Sequence, residues 1–99
     1  MEDKGIYPVR RSDVVVREIE GETLVLDRQS GKVHQFNTTA GFIWACCDGL
    51  STVSDIVNRL SVEYVLPSAD VEPDVVDTIR KFHELGLLVV GSKNQQASE

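Results

Sequence analysis

The run Val33-His34-Gln35-Phe36-Asn37-Thr38-Thr39-Ala40-Gly41-Phe42-Ile43-Trp44-Ala45-Cys46-Cys47-Asp48-Gly49 changes its hydrophobic period without an intervening linker, and this constrains the fold more than any other stretch. Up to Phe36 the pattern alternates, so His34 and Phe36 share one face of a strand and Val33 and Gln35 the other. From Ala40 onward, Ala40, Ile43, Trp44 and Cys47 recur at i, i+3, i+4 and i+7, the spacing of one helical face. A strand therefore runs straight into a helix. Asn37 or Thr38 is placed to accept the orphan amides of the first turn, and Gly49 stands where a left-handed cap closes the last one.

Upstream of this junction the chain reads as strands. Asp13 to Ile19 is rich in β-branched residues, Glu20-Gly21 supplies a tight turn, and Leu24 and Leu26 alternate through Glu22 to Asp27. Arg28-Gln29-Ser30-Gly31 makes a second turn before the strand Lys32 to Phe36. Downstream the chain reads as helices. Thr52 with Asp55 makes a capping box, followed by Val53, Ile56, Val57, Leu60 and Tyr64 at helical spacing. Leu66-Pro67-Ser68 ends that helix, and a third begins near Glu72-Pro73, where Asp70, Glu72, Asp74 and Asp77 suit the positive end of the dipole. Its buried stripe is Val71, Val75, Ile79 and Phe82, and Gly86 caps it. Leu87-Leu88-Val89-Val90 is a short apolar segment that can run along the core. The expectation is one α+β domain over residues 10–91, winged-helix-like, with a three-stranded antiparallel sheet followed by three helices. Residues 1–9 are expected as a flexible arm and 92–99 as a disordered tail.

Composition narrows the function. Of the 99 residues, 1–36 hold six Lys/Arg against seven Asp/Glu, and 37–99 hold four against nine, so nearly all of the net charge of −6 lies on the helical half. A winged-helix DNA-binding regulator would carry the opposite sign on its reading helix, yet Asp70, Glu72, Asp74, Asp77 and Glu84 surround only Arg80 and Lys81. No apolar run reaches the length of a membrane span, and Met1-Glu2-Asp3 is not the start of a signal peptide, so a cytoplasmic location is expected. Cys46-Cys47 are adjacent and cannot cross-link distant segments; a small thiol redox protein would need one of them to be acidified. His34 and His83 stand at no spacing that prepares a zinc site with those cysteines. No nucleophile with its base, carboxylate pair or phosphate loop is apparent, so neither an enzyme nor a cofactor is expected.

Binding remains. Nothing in Lys32 to Phe36 blunts the strand edge with proline or a run of charge, so the edge is open for pairing with an extended peptide. Phe42 and Cys46 form a second apolar pair on the first helix, away from Trp44. Such a pair marks either a helix buried on two sides or a docking or dimer surface.

The elements Phe36-Asn37-Thr38-Thr39-Ala40, Ile43-Trp44, Asp48-Gly49 and then Thr52-Val53-Ser54-Asp55-Ile56-Val57 resemble the PqqD-like family over roughly residues 10 to 90. The resemblance implies a peptide chaperone: the leader segment of a ribosomally made precursor adds as a strand to the third strand, lies against the third helix, and is presented to a modifying enzyme. That enzyme is often a radical S-adenosylmethionine enzyme, as in pyrroloquinoline quinone biosynthesis. Here the peptide-binding residues would be Lys32, Val33, His34, Gln35 and Phe36, with one of two helical walls: Thr78, Lys81 and Leu85, or Val76, Arg80 and His83. Helical angles alone leave both open. The domain itself is expected as a monomer or weak dimer, with no nucleic acid or membrane among its partners.

The charge distribution carries a test of the rival. In an anisotropy titration at physiological salt, no DNA binding is expected; sub-micromolar, salt-sensitive binding would restore the regulator reading.

Overall fold

The computed structural model of the protein describes residues 6–89. Strands β1 (Val15–Ile19), β2 (Glu22–Asp27) and β3 (Lys32–Phe36) form one antiparallel sheet in the order β1-β2-β3, and helices α1 (Thr38–Cys46), α2 (Val53–Tyr64) and α3 (Ser68–Glu84) follow. The expected α+β class and element order are those of the structure. β1 starts at Val15 rather than Asp13, whose carboxylate is held by Arg11.

Local chemistry sets each boundary. Glu20 and Gly21 both take positive φ, 53° and 84°, which gives the two-residue turn a backbone twist that matches the flanking strands. Asn37 is the N-cap of α1: its side chain accepts the Ala40 amide at 2.8 Å, so the strand-to-helix junction has no loop. Thr52 and Asp55 form the full capping box at α2. At the end of α3, the Gly86 amide donates to His83 O at 3.0 Å and the Leu87 amide to Phe82 O at 2.9 Å, with Gly86 at φ 74°. This is a Schellman closure, whose left-handed position favours glycine.

Three expectations are corrected. α3 begins at Ser68, a turn earlier than the Glu72-Pro73 signal suggested, and Pro73 lies inside the helix. Pro73 is the sixth residue of α3, past the first turn whose amides lack an intrahelical partner, so the helix gives up the bond that residue 73 would otherwise donate to the Ala69 carbonyl. Gly49 does not close α1: the helix ends at Cys46, and Gly49, at φ 82°, instead receives the incoming chain, its amide donating to Pro8 O at 3.0 Å. Residues 6–9, expected as part of an arm, are tied into the fold. The Val53 amide donates to Ile6 O, the Val89 amide to Val9 O, and Pro8 is buried. Residues 1–5 and the tail expected at 92–99 lie outside the described residues, as do the last residues of the expected domain.

The core sits between one face of the sheet and the three helices. Val25 and Phe36 meet Ile43, Trp44, Ile56, Leu60, Val75, Phe82 and Leu87 there, all nearly inaccessible. Cys46 is buried, and Phe42 packs edge-on to Tyr64 with ring centroids 6.1 Å apart, so the second stripe of α1 packs within the fold. α1 also crosses β2 closely. A Cβ on Gly41 would overlap Thr23 Oγ1 and lie 3.2 Å from Thr23 Cβ.

That crossing predicts a reversal of helix propensity. Gly41→Ala, which would add up to about 1 kcal/mol to an isolated helix, is expected to lower the urea midpoint here. Thr23→Ala in the same chain should recover much of the loss, and additive effects of the two changes would refute the contact.

Candidate functional site: the groove beside β3

β3 is the last strand of the sheet, with β2 on one side and no strand on the other among the described residues. Val33 is 62% exposed on the outer face, where Gln35 is drawn across β2 by a hydrogen bond from its Nε2 to Glu22 Oε1. The inner face carries His34, half-buried, and Phe36, buried. α3 runs beside this edge at two fixed points. Phe36 and Phe82 have centroids 4.9 Å apart. At the other end, Arg11 Nη1 donates both to Gly86 O at 3.1 Å and to Asp27 Oδ2 at 3.0 Å, and Asp27 is the register partner of Lys32. The C-terminal end of α3 therefore lies by the Lys32 end of β3.

Between strand and helix runs a groove of about 500 Å³, lined by Val33, His34, Gln35, Phe36, Ala40, Asp77, Thr78, Lys81, Phe82 and Leu85. Of the two walls that periodicity allowed, the groove has Thr78, Lys81 and Leu85. Val76, Arg80 and His83 face the other flank of α3, in a separate cavity of about 300 Å³ with Ile6, Val53, Ile79 and Leu88. Lys32 does not line the groove. Ala40, Asp77 and Phe82 do, although their patterns pointed elsewhere: Ala40 and Phe82 read as core, Asp77 as dipole chemistry. The available signal was that Asp77 lies at i−4 from Lys81, on the same flank of the helix.

A family model described as Coenzyme PQQ synthesis protein D (PqqD) matches residues 22–88, which hold all of β2 and β3, the three helices and every groove residue. The chain belongs to the PqqD family. Among solved structures, TbiB1 in complex with the TbiA(β) leader peptide is similar at TM-score 0.73 and 24% identity, covering 83% of this chain and 95% of that one. A lasso peptide synthetase B1 complexed with the leader peptide gives TM-score 0.73 and 24% identity over 84% and 98% of the two chains. The PqqD truncation of Methylobacterium extorquens PqqCD, described as a stand-alone recognition element for ribosomally synthesised, post-translationally modified peptides, gives TM-score 0.69 and 21% identity over 90% and 99%. At these identities the likeness is one of fold. No curated protein matches the chain.

Elsewhere in this PqqD-family domain both cysteines are free and lie in the core. Burial pushes the Cys47 thiol up to about 12, with the neighbouring Cys46 adding to the shift, and its Sγ donates to Ile43 O at 3.3 Å. Cys46 is raised as well, again by burial first. Neither is an activated thiolate, which removes the basis for a redox reading. Among the described residues no three His, Cys, Asp or Glu side chains gather as metal ligands, and no helix is long and apolar enough to cross a membrane.

Arg11 carries the densest polar network near the groove. Its guanidinium makes a bidentate bond to Asp27, at 3.0 and 3.1 Å, and a second to Asp13, at 2.9 Å twice. Hydrogen bonding to Arg11 holds both carboxyls below the ordinary range. A carboxyl whose pKa is lower folded than unfolded contributes stability that is complete above the unfolded value, about 3.9, and lost as the pH falls through the folded one. Urea midpoints are thus expected to be level near neutral pH and to fall below about pH 4. Asp27→Asn should lower the neutral midpoint and flatten the acid limb. An unchanged acid limb would show that the Arg11 bonds add nothing.

Proposed function

We propose that this domain is a non-catalytic recognition module, which binds the leader segment of a ribosomally made precursor peptide as an added strand on β3 and presents it to a modifying enzyme. On this reading the encounter takes place in the cytoplasm, where a ribosomally made peptide is produced, and a radical S-adenosylmethionine enzyme is the partner class we favour. The observation that carries the reading is that a strand edge without a partner among the described residues and an apolar-floored groove coincide. A peptide bonded to the edge of β3 directs alternate side chains into a space already bounded by Phe36, Ala40, Phe82 and Leu85. Family membership and the leader peptides bound by two chains of this fold support it.

Strand addition has a signature that ordinary groove binding lacks. In a β-ladder only alternate residues direct their amides to a given neighbour. The probe is the candidate precursor peptide encoded beside the gene. In an amide-shift titration, perturbations should cluster on residues 32–36 and on Asp77, Thr78, Lys81 and Leu85. N-methylation of successive peptide amides should weaken binding at every second position, by roughly tenfold where a bond is lost. Perturbations centred on Val76, Arg80 and His83, or a methylation profile without alternation, would overturn the proposal.

A further inference from the structure

One polar atom of the groove is unaccounted for. His34 Nε2 is shielded from solvent and has no hydrogen-bond partner among the described residues, the one side-chain nitrogen or oxygen there of which this is true. A buried polar group left unpaired destabilises the free protein, so its presence calls for a physical reason. Its surroundings supply one. His34 lies on the inward face of the edge strand, its ring parallel to that of Phe36 at 14°, and it lines the groove opposite α3. Lys81 lines the same groove, and Asp77, the carboxylate on that wall, lies one turn further toward the Phe36 end and 3.8 Å from Arg80.

We infer that the peptide bound here carries an acidic side chain that pairs with His34 and Lys81, and an apolar side chain two residues away along the strand that covers Phe36 and Ala40. This deepens the strand-addition reading and rests on it. His34 and Phe36 are two residues apart on one face, and an added strand presents its own inward side chains at the same spacing. At the Phe36 position the groove floor is aromatic and aliphatic. Next to it the groove has the His34 imidazole nitrogen, which can donate, and on the facing wall the Lys81 ammonium, two partners suited to a carboxylate. In the free protein Nε2 is out of contact with solvent. Rotation of the imidazole about Cβ–Cγ, a torsion with broad wells, is the movement that presents it to the incoming peptide.

The probe is a displayed library of random peptides long enough to span β3, selected on the intact protein and on three variants. With the wild type, Asp or Glu is expected two positions from an aliphatic or aromatic residue. In the selected peptides, replacing that acid by its amide should weaken binding about tenfold or more. On His34→Leu the same replacement should cost less than about twofold, the coupling expected of two groups in direct contact. His34→Gln, which can place an amide donor near the lost Nε2, should restore the preference in part, and Lys81→Ala should reduce it. The thermal midpoint of His34→Leu is expected to equal or exceed that of the wild type, because the change removes an unpaired polar atom; a merely structural histidine would show the reverse. Selected peptides that perturb residues 32–36 but show no acidic preference, or one that His34→Leu leaves intact, would overturn this inference and leave strand addition standing. Selected peptides that perturb other surfaces, or no selection at all, would remove the strand-addition reading and the inference with it.

Discussion

The contact between Phe36 and Phe82, with Trp44 against both at 6.0 and 5.4 Å, is the constraint on which the remaining geometry depends. Phe36 is the last residue of β3 and Asn37 the cap of α1, so burying one ring fixes three things together: which face of the strand is inward, where α1 departs, and where α3 must lie. A one-residue slip of β3 would turn Phe36 to solvent and put Gln35 in its place, so this face cannot be exchanged for the other. Phe36 and Phe82 are also the floor of the groove, with Trp44 behind them in the core. The candidate binding site is thus the outer surface of the core, with a rigidity that follows from close packing.

A second clamp fixes the opposite end. Arg11 joins the segment before β1, the end of β2 and the carbonyl of Gly86, while its own amide donates to Leu87 O at 2.9 Å. Held by aromatic packing at one end and by forked hydrogen bonds at the other, α3 keeps a set distance from the β3 edge. On the strand-addition reading this matters energetically. A groove formed before the peptide arrives spares binding the cost of ordering the receptor, leaving only the peptide's own loss of freedom.

Much of this was legible in the sequence because the signals were local. The change of period at Phe36-Asn37 gave β3 and α1, the Thr52/Asp55 box gave the start of α2, and the positive-φ glycine at 86 gave the end of α3. What was not legible depends on partners distant in sequence. Gly49 carries the signature of a helix cap, but its conformation serves Pro8, which packs there only once the chain has folded back. Pro73 reads as a helix start because proline is favoured in a first turn, yet it stands sixth in α3, so proline marks the neighbourhood of a boundary and not the boundary itself. The role of Arg11 has no local signal, since a single arginine before a strand has no periodic meaning until Asp13, Asp27 and Gly86 surround it. For the site, periodicity gave two candidate walls of α3. Only the angle at which the helix crosses the sheet, set by Phe36–Phe82 and Arg11, separates Thr78, Lys81 and Leu85 from Val76, Arg80 and His83.

The dimensions of the edge also bound what such a module can discriminate. Main-chain pairing is indifferent to sequence, so on this reading selectivity comes from the side chains that point inward, and β3 has only His34 and Phe36 fully within the groove's length on that face. The outward positions, Val33 and Gln35, would on the same reading flank the peptide and leave its other face to solvent. A site reading two inward residues against one helical wall distinguishes short motifs, with an affinity limited by the ordering of a flexible ligand. Selection of one substrate among many then benefits from a second contact, between the peptide and the enzyme to which it is presented. Tethering raises the effective concentration for that second step without any tightening of the first. On the strand-addition reading, a shallow groove formed before the peptide arrives suits such a division of labour, since its few inward contacts can register a short motif without holding it tightly.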